Sequence, residues 1–152
     1  MRRALATAAG ASLALVTLSA CTPLDQVWAR LDSGSITFLL CEPTLANEIH
    51  VDQRRIDRTT PSEKAWEVHS ETPQPFAAGD TIEFGDAPKG FDVVTAAASL
   101  DFDTYNYSLA VLNRRSEEDV VTSVTANFSS DELSADYWVT ADGERSTDPC
   151  AN

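Results

Sequence analysis

The chain has 152 residues, 43% of them hydrophobic, which is enough for one domain with a proper core and argues against a wholly disordered chain. It carries 24 Asp+Glu against 11 Lys+Arg, a formal net charge of −13. That balance argues against nucleic acid, whose binding needs a basic surface, and against a polybasic grip on anionic lipid.

The first element in chain order reads as an export signal. Arg2 and Arg3 form a positive start, and Ala4 to Leu18 is an apolar run without charge. The run is short for a membrane span, which needs about 20 apolar residues, and fits the apolar region of a signal peptide. An uncleaved helix is also at odds with the polar sequence that begins at Thr22. Leu18-Ser19-Ala20-Cys21 then resembles the lipobox of bacterial lipoproteins: an aliphatic residue, two small residues, and the cysteine that becomes the new N-terminus. The resemblance implies diacylglycerol in thioether linkage on Cys21, cleavage before it, and a place on the extracytoplasmic face of the cell membrane. Two acyl chains suit stable anchoring, since one chain binds only marginally. The open alternative is an ordinary secretory signal with Cys21 left as a free thiol. Removal of residues 1–20 leaves 132 of the 152 residues and a net charge of −15, because Arg2 and Arg3 go with the signal. The usage of Ala, Asp and Thr, with Lys64 and Lys89 the only lysines, resembles that of a high-GC bacterium such as an actinobacterium.

Residues 21–34 form the next unit, a tether with a short amphipathic helix. Thr22 serves as N-cap, Pro23 as first helical residue and Asp25 as an acid in the first turn, all favourable at a helix start. Leu24, Val27, Trp28 and Leu31 then share one helical face, and Asp32-Ser33-Gly34 ends the helix. Such a short helix needs cover, from the bilayer surface or from the domain that follows; docking on the domain is favoured because the lipid already anchors.

From Ser35 the period changes to two, and residues 35–152 read as a single all-β domain. Ile36 to Cys41 is a strand with Ile36, Phe38 and Leu40 inward. Glu48 to Gln53 turns Ile49 and Val51 inward, and Lys64 to His69 does the same with Trp66 and Val68. Thr81 to Phe84 and Asp92 to Ala96 are shorter strands. Tyr105 to Leu112 places Tyr105, Tyr107, Leu109 and Val111 on one face. Val120 to Phe128 carries Val120, Val124 and Phe128, and Asp136 to Thr140 closes the set. Pro73-Gln74-Pro75, Gly79-Asp80, Ala87-Pro88-Lys89-Gly90 and Asp142-Gly143 read as turns between them, and Ser130 to Leu133 as a single helical turn. About eight strands at this spacing suggest a β-sandwich, immunoglobulin-like in general architecture, with a barrel as the other solution.

If Cys21 carries lipid, Cys41 and Cys150 remain as the possible disulfide in an oxidising compartment; two free thiols are the alternative. This is not the immunoglobulin framework, because Trp66 lies too far beyond Cys41 and Cys150 follows every expected strand.

The chain has no nucleophile elbow, no Gly-rich phosphate loop and no zinc helix, and no cofactor is expected. Asp101 to Asn106 begins like a calcium loop, but it lacks the glycine and ends on Leu112 where an acid belongs, so it reads as a polar turn. Arg114 to Asp119 reads as a solvated hairpin tip. Asn106-Tyr107-Ser108 and Asn127-Phe128-Ser129 match the glycosylation sequon by chance. One constellation stands out: His50, Asp52, Glu67 and His69 face outward if their apolar neighbours face the core. With His50 opposite His69 and Asp52 opposite Glu67, these residues could hold a divalent transition metal, although like charges facing each other destabilise a sheet. A plain solvated face is the competing reading.

Three functions compete. The favoured one is a lipid-tethered, non-enzymatic interaction or binding module for an envelope protein or a ligand. The others are a metal-binding or small hydrolytic envelope enzyme, and a solute-binding lipoprotein, whose usual larger α/β form this chain does not match.

Overall fold

The computed structural model describes residues 27–150, and these contain strands, turns and no helix. In chain order the strands are β1 (Val27–Asp32), β2 (Ser35–Leu40), β3 (Thr44–Arg55), β4 (Glu63–Phe76), β5 (Thr81–Glu83), β6 (Asp92–Thr95), β7 (Tyr105–Arg114), β8 (Val120–Phe128), β9 (Trp138–Val139) and β10 (Arg145–Ser146). They form two antiparallel five-stranded sheets, ordered β10-β9-β1-β2-β5 and β6-β4-β3-β7-β8.

The core lies between the sheets in a sandwich-like arrangement. The first sheet contributes Val27, Ala29, Ile36, Phe38, Leu40 and Ile82; the second contributes Ile49, Val51, Trp66, Val68, Leu109 and Val111 among others. Phe38 meets Phe128 across the gap with ring centroids 5.8 Å apart, and Trp66 meets Phe84 edge-on at 6.0 Å. Period-two alternation thus places the expected inward residues as expected, with one exception. Val120 is 42% exposed, because it begins β8 at the rim, and Ala126 and Phe128 supply that strand's buried side chains.

The amphipathic helix expected over residues 23–31 is strand from Val27 onward; residues 22–26 lie outside the described residues. Val27, Ala29 and Leu31 also alternate, and β1 pairs along its whole length with β2, from Val27–Leu40 to Asp32–Ser35. Ser33 (φ 51°) and Gly34 (φ 89°) form the connection, the two left-handed residues that a tight hairpin with the right twist requires. The β-body therefore takes in residues before Ser35. Pro73-Gln74-Pro75 is not a break between strands: Pro73 ends a bulge within β4, and Gln74 and Pro75 pair with Ala46 and Leu45 of β3. The pairing with β3 runs from Glu48–His69 to Ala46–Gln74, so residues 70–73 loop out, and the Gln74 amide bonds back to Ser70 and Thr72. A bulge is one of the few places where a sheet accepts proline.

Cys41 and Cys150 are joined as a disulfide, with Cα atoms 5.1 Å apart. The bond sits at the end of the body where β1 begins, since Val27 pairs with Leu40. The Thr44 end of β3 and the β7–β8 hairpin lie at the same end. The opposite end holds the Ser33-Gly34 turn, the loop from Ile56 to Ser62 and the start of β7. There the Tyr107 hydroxyl accepts a hydrogen bond of 2.7 Å from the Asp101 N–H, a tyrosine-corner arrangement. Burial pushes the Tyr107 hydroxyl pKa up, against the opposing effect of that bond. Asp101 itself accepts from the N–H groups of Asp103 and Thr104, so this segment is the polar turn its sequence suggested.

Candidate functional site

Strands β3 and β4 are adjacent, and their outward side chains build an ionic cluster on the outer face of the second sheet. Ile49, Val51, Trp66 and Val68 are fully buried, which turns Glu48, His50 and Asp52 on β3, with Glu67 and His69 on β4, to the other side. The observed register is His50–Glu67 and Glu48–His69, two residues away from the expected His50–His69 and Asp52–Glu67. The correction removes the like-charge clash: each histidine now faces a glutamate.

A bulge sets this register. Val51 pairs with Trp66, but the next pair is Asp52–Lys64, so Ala65 is an extra residue and both it and Trp66 are buried. Without the bulge, Lys64 and Glu67 would lie on opposite faces, since an odd separation changes side in a strand. With it they share the outer face and form an ion pair. Bulges re-aim side chains in this way.

The contacts form one chain of charge. Glu67 is held by Lys64, lies 3.2 Å from His69 Nε2 and accepts from Thr95 Oγ1 at 3.4 Å. His69 Nε2 is also 3.7 Å from Glu48 Oε2. Glu48 Oε1 is 3.1 Å from His50 Nδ1, and Glu48 Oε2 is 2.7 Å from Arg114 Nε. The Arg114 N–H does not point along that last line, so this contact is an ion pair rather than a directed hydrogen bond. His50 Nε2 reaches Asp52 at 3.6 Å. Glu48 and Glu67 are each only 7% exposed, and Leu112 and Ala110, the β7 neighbours of Glu48 and His50, are buried as well. Burial alone pushes the Glu67 carboxyl up, but the hydrogen bond and charge of Lys64, with His69 behind them, outweigh it and hold the pKa below the usual glutamate value.

Arg114 is therefore not part of a solvated tip. The β7–β8 hairpin forms as expected, closed by Arg115 N–H to Asp119 O, but Arg114 bridges tip and sheet, its Nη1 donating to Glu117 O at 2.9 Å while its Nε faces Glu48. Asn47 locks it there: its amide donates to Arg114 O at 2.7 Å, and its carbonyl accepts from Arg114 N–H at 2.8 Å.

Glu48, His50 and Glu67 each offer a ligand atom, and these atoms lie within 4.8 Å of one another. Nitrogen and carboxylate donors of this kind suit zinc or a neighbouring transition metal. The same carboxylates already face Arg114 and Lys64, so an ion would have to displace those cations. Asp52 and His69 flank the group, and Glu48, Lys64 and Arg114 were missed from sequence. Glu48 was within reach, because it shares the period-two face with His50; the two cations were not, because a bulge and a hairpin bring them in. Cys21 lies outside the described residues. Comparison with known protein families, with curated proteins and with solved structures finds no match.

Proposed function

We propose that the chain is a lipid-anchored, extracytoplasmic, non-enzymatic binding module. The observation that carries this reading is the stretch Leu18-Ser19-Ala20-Cys21, which stands shortly before the first strand of a body closed by Cys41–Cys150. Such a bond belongs to oxidising compartments. The first described strand begins at Val27, beside the disulfide end. Six residue steps from Cys21 span at most about 20 Å, so a lipid on Cys21 holds that end near the bilayer and leaves the opposite end free to meet a ligand or an envelope partner. We also read the architecture as immunoglobulin-like in general form, a reading supported by the two antiparallel sheets and the Tyr107 corner.

Expression of the full chain and of Cys21→Ser in a bacterium, followed by fractionation and intact-mass measurement, tests the anchor. The unaltered chain is expected in the membrane with the added mass of diacylglycerol, and the variant without that mass. A mature product with a bare thiol at position 21, shed into the medium, would overturn the reading.

The convergence of Glu48, His50 and Glu67 favours a second reading, in which the module takes up a transition metal on the outer sheet face. Calorimetry with zinc would then show heat that a His50→Ala, His69→Ala double variant loses. No heat with the unaltered chain would remove this reading.

A further inference from the structure

The end of the body opposite the disulfide carries a second feature, which the ionic cluster does not use. A cavity of about 460 Å³ opens there between the end of β3, the start of β7 and the end of β8. This volume is within the range of small-molecule sites, roughly 300–1,000 Å³. Its lining is dominated by polar side chains, and three of them are Arg54, Arg55 and Arg58.

That concentration runs against the composition. The whole chain has only 11 Lys+Arg against 24 Asp+Glu, yet three arginines meet one carboxylate, Glu132, in this lining. Arg55 is paired with Asp57 at 3.2 Å. Among the described residues, Arg54 and Arg58 have no carboxylate within ion-pair distance. Arg58 is held by a built turn: its N–H bonds to Arg55 O at 2.9 Å, and Asp57 braces the loop by accepting from the Thr59 N–H and hydroxyl. The turn holds Arg58 left-handed, at φ 56°, a conformation that is strained for a non-glycine residue.

The neutral groups beside them are unspent donors. Asn106 uses its carbonyl oxygen to accept from the Ser130 N–H and hydroxyl, and its NH2 makes no hydrogen bond among the described residues. Asn127 and Ser108, paired on neighbouring strands, make no side-chain hydrogen bond within the described residues. Tyr107 and Phe128 are almost fully buried and offer no stacking platform. The recognisable ligand is therefore a hydrophilic anion rather than an aromatic or apolar one. Planar guanidinium groups match carboxylate and phosphate oxygens in pairs, and amide and hydroxyl donors match the hydroxyls of a sugar.

We propose that this cavity binds a small hydroxylated anion of the sugar-acid or sugar-phosphate kind through Arg54 and Arg58, with Asn106 and Asn127 on its hydroxyls. The chain's net negative charge does not forbid this. Screening limits its reach to about 8 Å at physiological salt, and in the cavity lining three arginines stand against one carboxylate, Glu132. The site lies along β3 from the tethered end: the 11 steps between its 12 residues at about 3.3 Å each place it roughly 35 Å away. The proposal deepens the binding-module reading but stands on the body's geometry and not on the lipid, so a failure here leaves the Cys21 mass measurement untouched.

The test is calorimetric titration of the full chain, purified in a non-ionic detergent, with glucose 6-phosphate, with glucuronate and with neutral glucose. At least one anion is expected to bind, neutral glucose at least tenfold more weakly, and added salt to weaken the anion. Whichever anion binds more tightly identifies the acidic group. An Arg54→Ala, Arg58→Ala variant is expected to lose at least tenfold in affinity while keeping the circular dichroism and unfolding midpoint of the unaltered chain. Asn127→Ala, which alters no backbone contact, is expected to lose severalfold for the same anion. No heat from either anion up to millimolar concentration, or equal binding by the double arginine variant, would overturn the proposal.

Discussion

At the scale of single residues, the molecule's most exacting pair is Glu48 and Arg114. Glu48 is 7% exposed and takes its positive charge from Arg114 Nε at 2.7 Å. Replacing Arg114 by Met leaves a nearly buried carboxylate without that cation, and we expect a loss of about 1–3 kcal/mol. Pairing that change with Glu48→Gln should cost less than the sum of the single changes, because the orphaned charge is gone; urea unfolding of all four forms measures the difference. Glu67 gives a pH signature. Its folded pKa is lowered, so its contribution is complete above the ordinary unfolded glutamate value and fades as the pH falls through the lowered folded value. The stability difference between the unaltered chain and Glu67→Gln should therefore shrink as the pH is lowered into and below the ordinary glutamate range, as read from urea midpoints; a constant difference would contradict the assignment. Asp57 stays ionised longer, because the hydrogen bond from Arg55 and then those from Thr59 hold it down to about 2, so the brace beneath Arg58 survives moderate acid.

At the scale of elements, the β1–β2 hairpin shows how two readings of one segment are decided. Leu24, Val27, Trp28 and Leu31 fit a helical stripe, while Val27, Ala29 and Leu31 fit a strand. What selects the strand is a partner: Ile36 to Leu40 lies directly after a Ser-Gly turn and offers a ladder along the whole length. Local periodicity cannot weigh that, because the partner's pairing is tertiary information. The turn is testable. Gly34 sits at φ 89° with open space where a Cβ would stand, so Gly34→Ala meets backbone strain rather than a clash. A loss of about 1 kcal/mol is expected, seen as a lowered melting temperature. The β3–β4 pair teaches a related lesson. Both strands were legible from alternation, with their buried faces, but the register needed the bulge at Ala65. Nothing local to Lys64-Ala65-Trp66 announces it, since Ala is tolerated on either face.

At the scale of the whole molecule, the Cys41–Cys150 bond ties the end of β2 to the far end of the chain, 109 residues on. The chain-entropy model assigns about 4.7 kcal/mol to a loop of this order, and delivered values are commonly about 2–4 kcal/mol. A Cys41→Ser, Cys150→Ser variant should lose that amount in urea unfolding, and the unaltered chain in reductant should match it. The bond also joins the first sheet's strand to the segment that follows β10, so its loss should be felt first at the end of the body where β1 begins.

The sequence by itself determined the body's chemistry of burial: which residues alternate inward, that the chain from Ser35 onward is all-β, and that Cys41 and Cys150 are candidates to pair. These follow from period and parity, which are local and survive without knowledge of the partner strand. Only the tertiary structure decided which strands are neighbours, in what register, and so which charges meet. Glu48 with Arg114, Lys64 with Glu67, and the arginines with Asn106 and Asn127 come together through hairpins, bulges and strand order. Pairing energy across a sheet depends on residues far apart in the chain, and a shift of two positions keeps every side chain on its face while exchanging every partner.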